Sequence, residues 1–403
     1  MKYRYLVFIV ASLMLMASCM EKEIVPITAS QGKPGIPTNI QIEAIPGGAN
    51  ISYSIPDTED LLAVKCVYTL SNGTQYETMT SFYDNKLRIE GFFDENEHEV
   101  SLYAVNRAQE LSDPVVLKFR PLESPISKAI KSATIARDFG GAQYTWENPD
   151  KANLSISFIT PDTTGLMQIM RIVSTNGKNG TYSLRGYKSV PRVFAMLIRD
   201  QYGNVSDSIF PINAETGERE LLTPIYEKKL DKKKIVIMAL DNDCAWNAFD
   251  TAERDMFDDD HNSISHSPQN AIPAYLSLDL GVEAKLSRVV VHQRRYDGHF
   301  YNWGNPVTFN VYGIDHEPSR SGNWDEWNLL MNCEIIKPSG LPINQESDED
   351  IAVAEGGHDF PFGLDIQPLR YIRFSFTKTW SAIPTVHIAE ITIYGDDGNP
   401  EEE

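Results

Sequence analysis

Cysteine is scarce in this chain: four occur in 403 residues, at positions 19, 66, 244 and 333. With Cys19 set apart near the start, three remain, and an odd number excludes a complete disulfide framework. Cys66, Cys244 and Cys333 are expected as buried, inert thiols, with a Cys244–Cys333 bridge as the alternative. Basic charge is also short. Lys and Arg number 36 against 56 Asp and Glu, a formal net charge of −20. Phosphate binding needs clustered Lys and Arg, so nucleic acid is excluded as a partner. The one basic cluster, Lys228, Lys229, Lys232, Lys233 and Lys234, reads as a solvated junction. Long apolar runs are missing too. The longest, residues 5–16, falls short of the roughly 20 residues a transmembrane helix needs. No G-x-S-x-G, H-E-x-x-H or Cys/His constellation appears, so no nucleophile or zinc motif supports an enzyme. His261 and His266 lack a third zinc ligand at close spacing.

The short apolar run has a use of its own. It follows a positive start at Lys2 and Arg4 and ends in LMASC, with small Ala17 and Ser18 before Cys19. That stretch resembles a bacterial lipobox. The resemblance implies a signal peptide at 1–18, lipidation of Cys19 and a polar tether over 19–36. It further implies a lipid-anchored protein of the outer membrane, exposed at the cell surface, whose only membrane contact is its lipid. An ordinary signal peptide with a chance cysteine is the alternative.

From residue 37 apolar and polar residues alternate at period two. Segments 39–44, 49–55, 64–70, 87–92 and 99–105 read as strands, separated by PGG, SNG and DEN turns. Residues 37–121 thus form a β-sandwich, and PGIPTNIQIEA…GGANISYSIP with SLYAVNRAQELSDPVVLKF resembles a fibronectin type III domain. A second sandwich is expected over 122–221, with strands at 135–139, 142–146, 155–159, 180–184, 192–199 and 208–211. Its RDQYGNVSDSI repeats the logic of AVNRAQELSDPV: strand, charged hairpin, Ser-Asp, strand. Neither block offers a catalytic cluster, and both read as spacers.

The third block, 222–396, holds five of the six Trp and seven of the eight His; an acidic tail, 397–403, follows. Four stretches in order carry a resemblance here: YLSLDLG (275–281), LSRVVVHQRR (286–295), VTFNVYG (307–313) and HIAEITIYG (387–395), with YIRFSFT (371–377) between. Together they resemble the discoidin, or coagulation factor 5/8 type C, domain, also the fold of family 32 carbohydrate-binding modules. The resemblance implies a galactose-binding-like jelly-roll, so the whole chain is read as all-β: two immunoglobulin/fibronectin-like sandwiches, then a jelly-roll. In that family a loop matching FDDDHNSIS binds structural calcium. Carried over, Asp258 and Glu390 would supply carboxylates, Asp255, Asp260 and Ala389 carbonyls, and Ser263 its carbonyl and hydroxyl, the oxygen set a hard cation wants. Two residues depart from the pattern. Asp259 stands where the family has glycine, and Ser265 near where it has tryptophan; a metal-free acidic loop is the alternative.

A ligand is expected at the loops of one barrel end. The loop 293–306, QRRYDGHFYNWGNP, carries Arg294, Arg295, Tyr296, His299, Tyr301 and Trp303. Trp246 and Trp380 lie in two further loops. Aromatic rings stack on sugar C–H faces while Arg and His bond hydroxyls, so these eight residues point to a glycan. Filling the barrel ends is the other use for such rings, and Trp324 with Trp327 reads as structure. The order of parts resembles surface lipoproteins of Bacteroidetes associated with polysaccharide utilisation. It implies a non-enzymatic protein that binds carbohydrate, a glycan or polysaccharide, beside other outer-membrane uptake proteins. Protein–protein adhesion is the alternative. A glycoside hydrolase, which needs only two facing carboxylates, is the less favoured one.

Overall fold

The computed structural model describes residue 29 and residues 31–399. The expected signal peptide, Cys19 and most of the tether lie outside the described residues. The chain is nearly all β, and its described residues divide into two compact units, one running up to residue 134 with 145–181 and 195–209, the other of 135–144, 182–194 and the residues from 210 on.

Seven strands come first: β1 (Thr38–Ile45), β2 (Gly48–Ser54), β3 (Leu61–Thr69), β4 (Gln75–Ser81), β5 (Lys86–Glu90), β6 (His98–Asn106) and β7 (Val115–Phe119). They form a three-stranded sheet, β1-β2-β5, and a four-stranded one, β4-β3-β6-β7. Alternate residues of each strand face inward, as the period-two pattern requires. Ile51, Val64, Cys66, Ile89 and Leu102 meet in the core. This three-on-four sandwich is the arrangement the fibronectin resemblance implies.

A short helix, α1 (Pro125–Ser132), starts with proline after Ser124, whose hydroxyl accepts from the Ser127 amide at 3.2 Å. Then come β8 (Thr134–Asp138), β9 (Gly141–Glu147), β10 (Leu154–Pro161), β11 (Met167–Thr175), β12 (Asn179–Leu184) and β13 (Ala195–Asp200), in sheets β8-β9-β12 and β11-β10-β13. The internal repeat has a physical basis. Ser112 and Ser206 each accept from a backbone amide two strand-ends away, Ala104 and Ile198, both at 2.9 Å, and close equivalent hairpins. The expected strand at 208–211 is only a single bridge, Met196 to Ile209. Strand β11 has no counterpart in the alternation pattern because it lies on an edge. Ile169, Met170 and Ile172 are all exposed, so no buried face imposes a period.

The last ten strands are β14 (Lys228–Lys229), β15 (Val236–Met238), β16 (Ser265–His266), β17 (Ala274–His292), β18 (Pro306–Ile314), β19 (Asn328–Glu334), β20 (His358–Pro361), β21 (Leu369–Thr379), β22 (His387–Ile388) and β23 (Glu390–Asp396); helix α2 (Asp348–Gly356) precedes β20. They run β14-β23-β17-β21-β18-β19, with β15 and β20 also on β17 and a separate β16-β22 ribbon. The stretches 275–281 and 286–295 belong largely to one strand. Residues 274–279 of β17 pair with β15 and β21, and residues 285–292 pair with β20 and β23. Gly281, at φ +69°, lies between the halves. One strand therefore serves both faces of the jelly-roll, around a core of Phe309, Phe374, Phe376, Val289 and Ile391.

One other expectation changes and one holds. The lysine cluster is not a solvated junction: Lys228 and Lys229 form β14 against Gly395 and Tyr394. Cys66, Cys244 and Cys333 are free thiols, and burial pushes them up to about 12, 11 and 12, which makes them poor nucleophiles.

Candidate functional site

One end of the jelly-roll carries a cleft of about 790 Å³, built largely from three segments. The first is the β16-β22 ribbon, which pairs His266 with His387. Their rings stand 5.5 Å apart, edge to face. His266 also holds the preceding loop, since its carbonyl accepts from the Ala248 amide at 3.0 Å. That loop carries Phe249, an exposed ring at φ +58° lying 4.5 Å from the His266 ring.

The second segment is the loop after β17. Asp297 and Gly298 both have positive φ, +51° and +81°, and the Tyr296 and His299 amides each donate to the other's carbonyl. This is a two-residue Asp-Gly turn, which such a pair adopts readily. It turns the chain so that Tyr296 meets Trp303 edge to face at 5.1 Å. Asn305 holds Arg294 by both backbone groups, at 2.9 Å each, and the Arg294 guanidinium lies 4.5 Å over the Tyr296 ring. The third segment, after β21, contributes Ile383, Pro384 and Thr385. Its Ser381 hydroxyl accepts from the Trp303 amide at 2.7 Å and fixes that residue at φ +47° with 48% of its surface exposed.

Both imidazoles are neutral. Burial lowers His387 to about 3, and the Arg294 charge adds to it. Burial also lowers His266, and Arg294 adds to it. The Nδ1–H of His266 donates to the Ser267 carbonyl at 2.8 Å, which leaves Nε2 as an acceptor. Arg294 is held below its ordinary value by burial. Among the described residues lining the cleft there is no Asp or Glu.

Of the eight expected contact residues, Arg294, Tyr296 and Trp303 line this cleft. Trp246 does not: it is 0% exposed, edge-on to Phe376, and its indole N–H donates to the Tyr275 carbonyl at 3.1 Å. Tyr301 is likewise 0% exposed, with its hydroxyl on the Asp350 carbonyl at 3.0 Å. Their place is the core, because the chain turns each ring inward at the barrel end. Trp380 packs edge-on against Tyr301. Arg295 reaches Glu355 at 3.5 Å and His299 reaches Glu346 at 3.5 Å, both outside the cleft lining. Phe249, His266 and His387 escape a reading of the sequence, since an isolated Phe and two distant His show no spacing. Only the Asp-Gly pair at 297–298 was a local signal of how the loop would turn.

The expected calcium set is split. Asp255 O, Asp258 Oδ2 and Asp260 O do converge, but on the Ser263 hydroxyl, at 3.3, 2.8 and 2.8 Å. Glu390, 0% exposed, spends both oxygens elsewhere. Oε1 accepts from Lys232 Nζ at 2.6 Å and Oε2 from the Asp259 amide at 2.7 Å. Lys232, 6% exposed, also donates to Asp259 Oδ1 at 2.7 Å, and Lys229 binds the same oxygen. Asp259 takes φ +64°, the conformation a glycine would supply, so the departure from the family pattern keeps the turn and adds a carboxylate for two lysines. Those hydrogen bonds, from Lys229 first, hold the Asp259 carboxyl down at about 2. A calcium ion on Glu390 would lie about 5 Å from the Lys232 ammonium and repel it by roughly 7 kcal/mol at an effective dielectric near 20. Ala389, another expected ligand, is buried, and its amide donates to the His292 carbonyl at 3.1 Å. These residues do not fit calcium. Among the described residues no group of three His, Cys, Asp or Glu side chains is placed to hold a metal ion.

Three domain families of unknown function match the chain: DUF4959 over residues 34–121, DUF5126 over 122–233 and DUF5000 over 254–395. No curated protein matches. Among solved structures, the C-terminal domain of a chitobiase from Bacteroides fragilis is 14% identical and aligns over 43% of this chain and 100% of its own, at a TM-score of 0.31. A family 32 module, CBM32-1, from a family 31 glycoside hydrolase of Clostridium perfringens is 10% identical over 41% of this chain and 96% of its own, at a TM-score of 0.27. A SusE-like protein aligns over 68% of this chain at a TM-score of 0.43. Because the identity to that protein is 31% across 99% of its length, the chain belongs to the SusE-like family.

Proposed function

We propose that this protein binds carbohydrate in the cleft at the end of its jelly-roll and does no chemistry on it. One observation carries the reading. An exposed Trp303, held edge-on to Tyr296, opens on a cleft of about 790 Å³ whose wall also offers Arg294 and two neutral imidazoles. A ring face suits the C–H side of a sugar, and the Arg and His nitrogens suit its hydroxyls. A cleft lined without carboxylates lacks the paired acid and base of a glycosidase. Membership of the SusE-like family supports a role at the bacterial cell surface. There, lipid on Cys19 would hold the protein while it captures polysaccharide beside other glycan-uptake proteins.

The test is a glycan array probed with the full chain and with Trp303→Ala. One glycan class bound by the wild type and lost in the variant is the expected result. No glycan bound across a broad array would sink the proposal and leave protein adhesion as the use of the aromatic loop.

A further inference from the structure

We propose that the preferred ligand of this cleft is a saccharide bearing a carboxylate, a uronic-acid-type sugar, with Arg294 as the partner of its anionic group. The inference rests on the glycan-binding reading and adds the ligand's charge.

The argument begins with what surrounds Arg294. The chain carries a net charge of −20, so cations on its surface find carboxylates easily. Arg288, Arg295, Arg320, Arg370 and Arg373 of the same unit each hold one. Arg294 holds none among the described residues, and its guanidinium contacts the face of Tyr296 instead. Nor does any carboxylate line the cleft beside it. A partly buried cation without a counterion is costly, and here the burial already lowers its pKa. A planar carboxylate offers the two acceptor oxygens that the guanidinium fork matches.

The histidines set the amount of charge. With His266 and His387 neutral, the cleft presents a single positive charge at pH 7. That matches one carboxylate on a sugar better than a multiply charged sulfated chain. The His266 Nε2 remains for a hydroxyl, and Tyr296 with Trp303 for the ring face.

The test compares galacturonate and glucuronate oligosaccharides with the same oligosaccharides after their carboxyl groups are reduced to alcohols. Binding to the full chain is measured by calorimetry at low and high salt. The acidic forms should bind about tenfold to a hundredfold more tightly, as expected of a hydrogen bond to a charged group. That advantage should shrink with salt. Arg294→Gln should remove it and Arg294→Lys should retain part of it, while the wild-type salt series tests the charge even if a variant folds poorly. If reduced and acidic forms bind equally and Trp303→Ala abolishes both, the glycan reading stands and the charge inference is overturned. If neither form binds but a neutral glycan does, the charge inference is likewise overturned. If no saccharide binds, both fall.

Discussion

Lys232 is where the structure parts most sharply from the calcium expectation, and its removal has a calculable effect. Lys232→Met keeps the stem and deletes the ammonium. Glu390, 0% exposed, would then keep only the Asp259 amide at 2.7 Å as a hydrogen-bond partner. Breaking one side of a buried pair leaves an uncompensated charge and costs about 3–5 kcal/mol. For a domain of this size each kcal/mol moves Tm by about 2–4 °C, so a drop of about 10 °C is expected. Thermal melts of the full chain, with chelator and with millimolar calcium, would measure it. The wild type should melt at the same temperature in both. The variant should melt lower and recover in part with calcium, because Glu390 and the Asp258 loop are then free to share a cation. Lys232→Met with Glu390→Gln should recover stability without calcium. The reasoning is refuted if chelation lowers the wild-type Tm, or if Lys232→Met melts with the wild type.

Three further outcomes follow from burial and charge. Trp303→Ala should abolish glycan binding with Tm nearly unchanged, since the ring is 48% exposed, whereas Trp246→Ala should cost about 3–5 kcal/mol in a denaturant titration. Arg373, fully buried, pairs with Asp243 at 2.8 Å and lies 4.0 Å from the Trp324 ring. Asp243→Asn should therefore destabilise the fold by about 3 kcal/mol, while Arg320→Ala, whose ion pair with Asp241 is exposed, should change stability by less than about 1 kcal/mol. Finally, burial lowers His358 to about 4 and His387 to about 3. Both stay neutral in the fold and take up protons below about pH 6.5 on unfolding, so their stabilisation is complete above that pH and declines as pH falls toward 4. At pH 5 each should have cost about 2 kcal/mol relative to pH 8, and a chevron or denaturant series in which His387→Asn does not flatten this dependence would count against it.

Much of the strand content was written in local pattern, because one buried face imposes period two wherever a strand has one. Strands β2, β3, β6, β9 and β18 follow their alternation closely. The pattern was silent where that cause is absent. Strand β11 is an edge without a buried face, and β17 crosses two sheets, so its hydrophobicity reads as two strands. The aromatic loop at 293–306 was visible as composition. Which of its rings face out was not, because Tyr301 and Trp303 differ by two residues and only positive φ values and the Ser381 anchor send one inward and the other outward.

The sequence by itself determined the all-β class and massed Arg294, Tyr296 and Trp303 in one loop, where they line the cleft. Those follow from nearest-neighbour chemistry: alternation, turn residues and side chains massed in one loop. Tertiary structure alone decided the rest. It brought His266 to His387 across 121 positions by a two-residue ribbon, and Lys232 to Glu390 across 158. Long-range pairing in a jelly-roll leaves no periodic trace in the chain, since each partner is chosen by the sheet's register and not by its neighbours in sequence.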